Sequence, residues 1–129
     1  MADVVLDASA VIALLRREKG ADVVASVLPG PAISAVNLSE VATWLSDAGT
    51  DERKIRLTLD GLQLECNDFD VEAAFASAAL RKASREKGLS FGDRACLALA
   101  RHLALPVLTA DRSWAEVDLG VEVRLIRGQ

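Results

Sequence analysis

The stretch that most restricts the fold runs from Leu89 to Trp114, LSFGDRACLALARHLALPVLTADRSW. Cys96, Leu97, Leu99, Ala100 and Leu103 recur at helical spacing, and Arg94, Ala98, Arg101 and His102 form the other side. Pro106 marks a tight turn, Val107 and Leu108 read as a short buried strand, and Thr109-Ala110-Asp111 closes it. At about 100° per residue, Asp93 falls between Leu97 and Ala100, inside the apolar arc. A carboxylate there is costly unless something compensates it. In an open parallel sheet, the groups at the carboxyl ends of strands collect at one edge, where ligands bind. Asp93 at a helix start and Asp111 at a strand end are therefore expected to meet.

The rest of the chain repeats this unit. Val4 to Leu6 is an apolar strand running into Asp7-Ala8-Ser9-Ala10, and a helix follows with Val11, Ile12, Leu14 and Leu15 inside, ended by Gly20. Ala21 to Leu28 is a shorter helix stopped by Pro29-Gly30-Pro31, and Ala32 to Ser34 a brief strand. Leu38 to Ala48 reads as a helix ended by Gly49, and Thr50 to Gln63 as another that buries Ile55, Leu57, Leu59 and Leu62. After a short strand at Leu64 to Cys66, Asp70 opens a long Ala-rich helix to Lys87 with Gly88 as its stop. The basic cluster Arg81, Lys82, Arg85 and Lys87 in its last turns suits a solvated face and the helix dipole. Asp118-Leu119-Gly120 turns the chain into a final strand over Val121 to Ile126. Strands alternating with helices predict a three-layer α/β/α fold with a mainly parallel central sheet. A length of 129 residues predicts one domain, 1–129.

Four carboxylates stand beside apolar elements: Asp7, Glu40, Asp93 and Asp111. Each has a purely structural reading. Asp7 or Ser9 is suited to cap the first helix. Asn37 with Glu40, and Ser90 with Asp93, have capping-box spacing. Glu40 also shares an i, i+4 stripe with Val36 and Trp44, which Leu38, Val41 and Leu45 continue. Gathered at one edge, however, the four would repel, and their pKa values would rise unless a cation neutralised them. An all-oxygen set suits hard Mg²⁺ or Mn²⁺. Such ions support phosphodiester hydrolysis by activating water and stabilising the attacking and leaving oxygens. Ser9 and Thr109 are placed to orient those carboxylates or bound water.

The rest of the composition excludes other chemistries. His102, the sole histidine, falls on the polar side of its helix and is a poor zinc ligand or triad base. Cys66 and Cys96 lack metal-motif spacing and read as reduced core thiols of a cytoplasmic protein. A secretory leader is not expected, and no apolar stretch reaches the roughly 18 residues of a membrane span. The net charge of -4 argues against tight nonspecific nucleic-acid binding, but not against an enzyme with an acidic pocket.

The segments VVLDASAVIALL, NLSEVATWL, LSFGDRACLALARHLALPVLTADRSW and VEVRLI together resemble a PIN domain, and more narrowly the VapC-type toxins of type II toxin–antitoxin pairs. The likeness runs from about Val4 to Arg127. Its most specific part is the Ser-x-x-Asp helix followed by Thr-Ala-Asp-Arg-x-Trp. The resemblance implies a Mg²⁺-dependent endoribonuclease, held inactive by a cognate antitoxin and often dimeric. It carries metal ligation onto Asp7 and Asp93, direct or water-mediated metal contact onto Glu40 and Asp111, and supporting roles onto Ser9 and Thr109. A phosphorelay receiver would need a late lysine, and none follows Lys87. A dehalogenase-like phosphatase would want an acid where Ser9 stands. A PIN fold kept as a catalytically idle binding module would not need all four acids.

Overall fold

Val5 lies in parallel register with Ala32 on one side and Val107 on the other, so the first strand of the chain is the middle of the sheet. In the computed structural model, which describes residues 1–84, 88–116 and 118–128, the strands are β1 (Val5–Leu6), β2 (Ala32–Ser34), β3 (Glu65–Asn67), β4 (Val107–Thr109) and β5 (Val123–Leu125). Their order is β3-β2-β1-β4-β5, and every neighbouring pair is parallel. Such short strands are held by what covers them. Val4, Leu6, Ile33 and Leu108 pack against one layer, made of α1 (Ala8–Leu15), α2 (Ala21–Ser26), α3 (Ala35–Asp47) and α4 (Glu52–Gly61). Val5, Ala32 and Val107 point the other way, against α5 (Val71–Ser84) and α6 (Phe91–Leu103). This strict alternation of faces is the period-two signature of strands buried on both sides. The fold is the expected three-layer α/β/α sandwich.

The chain steps outward from β1 to β2 and β3, then returns across the sheet to β4 on the far side of β1. The reversal opens a crevice at the carboxyl ends of β1 and β4, where parallel sheets bind ligands. Residues 112–116 form a 3-10 turn that buries Trp114 just past β4.

Several local expectations are corrected. The first helix stops at Leu15, and Gly20 (φ 98°) instead opens α2, where a Cβ would fall 2.8 Å from the Ile126 carbonyl oxygen. The second helix ends at Ser26, and the helix expected from Leu38 begins at Ala35. The last strand is confined to Val123–Leu125. Leu57 is 62% exposed, because α4 presents only Ile55 and Leu59 to the core. Ala98 is buried, since α5 covers the side of α6 that the sequence leaves for solvent. Cys96 is in the core but Cys66 is exposed on the edge strand. The helix expected to reach Lys87 is seen as far as Ser84, and Arg85 and Lys87 lie outside the described residues. Among the described residues no helix is long and apolar enough to cross a membrane.

Candidate active site

Asp7 follows β1 directly and caps α1, its Oδ1 accepting from the Ala10 amide at 2.9 Å. It is only 5% exposed. Two hydroxyls complete its shell. Ser9 donates to the carboxylate, 2.8 Å from Oδ1 and 2.9 Å from Oδ2, and Thr109 donates to Oδ2 at 2.6 Å. Each hydroxyl also accepts a backbone N–H from the loop after β4, Ala110 to Ser9 at 2.9 Å and Asp111 to Thr109 at 3.0 Å. A hydroxyl that donates to a carboxylate keeps lone pairs for an amide, so the pair ties the ends of the two central strands together.

Even so, burial pushes the Asp7 carboxyl up to about 6, against the pull of Thr109, Ala10 and Ser9, and the charge of Asp93 adds to the rise. Asp93 is half-buried in the first turn of α6. Its Oδ2 accepts from the Ser90 amide at 2.9 Å and its own amide donates to the Ser90 hydroxyl at 3.2 Å, a complete capping box. Burial raises this carboxyl too, and the charge of Asp111 raises it further. Asp111 is exposed at the end of β4, where its Oδ1 receives the amide and hydroxyl of Ser113. Beneath them the buried Cys96 thiol is held well above its usual range by burial and by the charges of Asp7, Asp93 and Glu40.

Glu40 arrives differently from expectation. Asn37 and Glu40 do not form a capping box, because β2 runs into α3 without a loop and Ser34 is already the cap, accepting from the Val36 amide at 3.1 Å. Asn37 therefore lies inside the first turn, 1% exposed, and its Nδ2 donates to Glu40 Oε1 at 2.8 Å and to the Gly92 carbonyl at 3.0 Å. Glu40 is exposed, with its carboxylate against Gly92. Sequence reasoning missed Asn37 and Gly92 as parts of this arrangement. The available signals were the Asn three residues before Glu40 and a helix-weakening Gly between Ser90 and Asp93.

Among the described residues, none of the four carboxylates forms an ion pair with Lys or Arg. Arg94, next to Asp93, turns away and donates to the Ser77 carbonyl at 3.2 Å. Nor do any three ligating side chains among the described residues close on a common point. The donor set fits a hydrated Mg²⁺ rather than a closed cage, since that ion keeps several waters and binds through one or two carboxylates. Mutually repelling, the buried Asp7 and the half-buried Asp93 are the carboxylates a divalent ion would relieve most.

A parallel sheet wound on both faces, with acids at its switch point, defines a class of α/β proteins with an acidic edge site. Within that class the PIN domain family model matches residues 4–119, and the chain belongs to the PIN domain family. Membership displaces the receiver and dehalogenase-like alternatives. Among solved structures, the chain is similar to one in a toxin–antitoxin complex from Klebsiella pneumoniae, at 23% identity and a TM-score of 0.75, covering 96% of this chain and 98% of that one. It is also similar to DNA-bound VapBC from Salmonella typhimurium, at 19% identity and a TM-score of 0.74 over 98% and 100% of the two chains. A third is the sarcin–ricin-loop-cleaving toxin VapC20 of Mycobacterium tuberculosis, at 17% identity and a TM-score of 0.71 over 92% and 98%. At these identities the likeness is one of fold. No curated protein matches the chain by sequence.

Proposed function

We propose that the chain is a metal-dependent endoribonuclease and the toxin of a type II toxin–antitoxin pair. The observation that carries the reading is the buried Asp7 carboxylate, raised to about 6 beside Asp93 at the switch point of a PIN fold. Asp7 and Asp93 would hold Mg²⁺, or Mn²⁺, and Glu40 and Asp111 would complete the catalytic set through direct or water-mediated contact. A bound divalent ion supplies a Lewis acid for a phosphodiester oxygen and lowers the pKa of attached water. The chain's own part is positional. Ser9 and Thr109 fix the Asp7 carboxylate, and Ser90 fixes the rotamer of Asp93. Glu40 and Asp111 are exposed, which leaves both open to water or a hydrated ion.

The partners in this reading are RNA, a cognate antitoxin and a second copy of the chain. A groove of about 610 Å³ between α3 and α4, floored by Leu38, Ala42, Ile55 and Leu59, suits an apolar antitoxin tail. Exposed Val71, Phe75 and Phe91 offer an apolar face for the homodimer. A cytoplasmic location accords with the RNA substrate and two unpaired thiols.

The test is cleavage of single-stranded and loop RNA by the purified chain. Cutting should be internal, stopped by EDTA, restored by Mg²⁺, and lost in Asp7→Asn or Asp93→Asn. Undiminished cutting in EDTA removes the metal mechanism. RNA binding without any cutting leaves the catalytically idle binding module.

A further inference from the structure

Asn37 makes an unusual exchange. Both of its amide hydrogens are used, on Glu40 Oε1 at 2.8 Å and the Gly92 carbonyl at 3.0 Å, while its buried Oδ1 has no partner among the described residues. Turning the amide over would set Oδ1 against two acceptors, so the bonds themselves dictate its orientation. Simple packing at this position is better served by a side chain of the same shape without polar atoms, since an unmet buried acceptor is a cost. The carbonyl it holds belongs to α6, 55 residues away in the chain. Gly92 completes the arrangement. Its φ is not in the left-handed region, so backbone freedom does not explain it. A Cβ there would lie 2.5 Å from Glu40 Oε1 and 2.6 Å from Cδ, so only glycine lets this carboxylate rest on the first turn of α6. The next residue along that turn is Asp93.

We infer that Asn37 is a positioning residue, which with Gly92 holds the Glu40 carboxylate against the first turn of α6, at the residue that precedes Asp93. The inference rests on the metal-site reading above for its consequence and on the hydrogen bonds alone for its geometry. Asn37→Leu keeps the branching and the number of heavy atoms and removes both donors and the orphaned acceptor. A packing role predicts unchanged or higher stability and unchanged ion affinity. A positioning role predicts unchanged or higher stability in EDTA with Mn²⁺ affinity about tenfold weaker, the usual scale for losing a group that orients a ligand.

The experiment is Mn²⁺ titration of RNA-free protein by calorimetry, with denaturation in EDTA, on wild type, Asn37→Leu, Glu40→Gln and the double variant. The Asn37→Leu loss should vanish in the Glu40→Gln background, because Asn37 acts through Glu40. Gly92→Ala, which favours the helix by propensity, should reproduce the loss from the opposite side. Wild-type affinity in both Asn37→Leu and Gly92→Ala, or additive losses in the double variant, overturns the inference. A wild-type chain that binds neither Mn²⁺ nor Mg²⁺ overturns the metal reading instead. The geometry is then decided by NMR of the metal-free protein. The Asn37 side-chain amide protons should exchange slowly and should shift in Glu40→Gln. Rapid exchange, or no shift, overturns the inference on that ground too.

Discussion

At pH 7 the Asp7 carboxylate is about one unit above its titration point near 6, ionised inside a site whose burial favours the protonated form. In the unfolded chain it titrates near 3.8. Between those values the folded protein keeps a proton that the unfolded chain has lost. The contribution of this group to stability in EDTA should therefore be full below about pH 3.8 and be lost as pH rises through about 6, by on the order of 3 kcal/mol. Asp93, raised in the same direction, adds to the fall. Urea denaturation from pH 4 to 8 should show the decline in EDTA, a shallower one in Asp7→Asn, and little in saturating Mg²⁺. Asp93 is a helix cap and, on the reading proposed above, a metal ligand, and variants separate the two. Ser90→Ala removes a cap and should cost about 1 kcal/mol with or without metal. Asp93→Asn keeps an oxygen for the Ser90 amide but removes a disfavoured charge, so in EDTA it should be as stable as wild type or more so. A clear loss of stability in EDTA would reduce Asp93 to a cap.

The elements decide which residues reach the site. Because β2 passes into α3 at Ser34 with no loop, the first turn of α3 is geared to the sheet, and Asn37 and Glu40 ride on it. Ser34→Ala should cost about 1 kcal/mol and should also weaken Mn²⁺ binding, which a remote cap such as Asp51 in Asp51→Ala should not. On the opposite face, Ala98→Leu should cost about 1–3 kcal/mol by overpacking α5 against α6. Leu57→Ser should change stability by less than about 0.5 kcal/mol, because that side chain is largely in water. This contrast also marks what the sequence can and cannot disclose. The Ser90–Asp93 box was legible because both partners lie within one turn. The acids at strand ends were legible because a parallel sheet gathers them. Asn37 was misread because spacing does not say whether a loop separates strand from helix. Ala98 and Leu57 were misjudged because a single helix's pattern does not name its neighbours, and α5 covers one while the other is 62% exposed.

For the molecule as a whole, an ion that binds only the folded state acts on every element at once. Mg²⁺ at a hundredfold excess over its dissociation constant should raise unfolding free energy by about 2.7 kcal/mol, and by less in Asp93→Asn. On the toxin–antitoxin reading proposed above, the antitoxin should work against the same ion. An apolar tail in the α3–α4 groove that extends an Arg or Lys to the carboxylates would neutralise them in place of metal. Calorimetry on the complex should find Mg²⁺ binding strongly weakened, and a complex that binds the ion normally and cuts at full rate rules this out. One contact sets the timing of all of this. Thr109 reaches Asp7 across 102 positions of the chain, and β4 is the strand that closes the far side of β1. During synthesis Asp7, Glu40 and Asp93 emerge before the partner that binds their sheet together. A ribosome thus carries a half-made chain with three of the four carboxylates but without the Thr109 contact, and on the endoribonuclease reading proposed above cutting is expected only once β4 has left the exit tunnel.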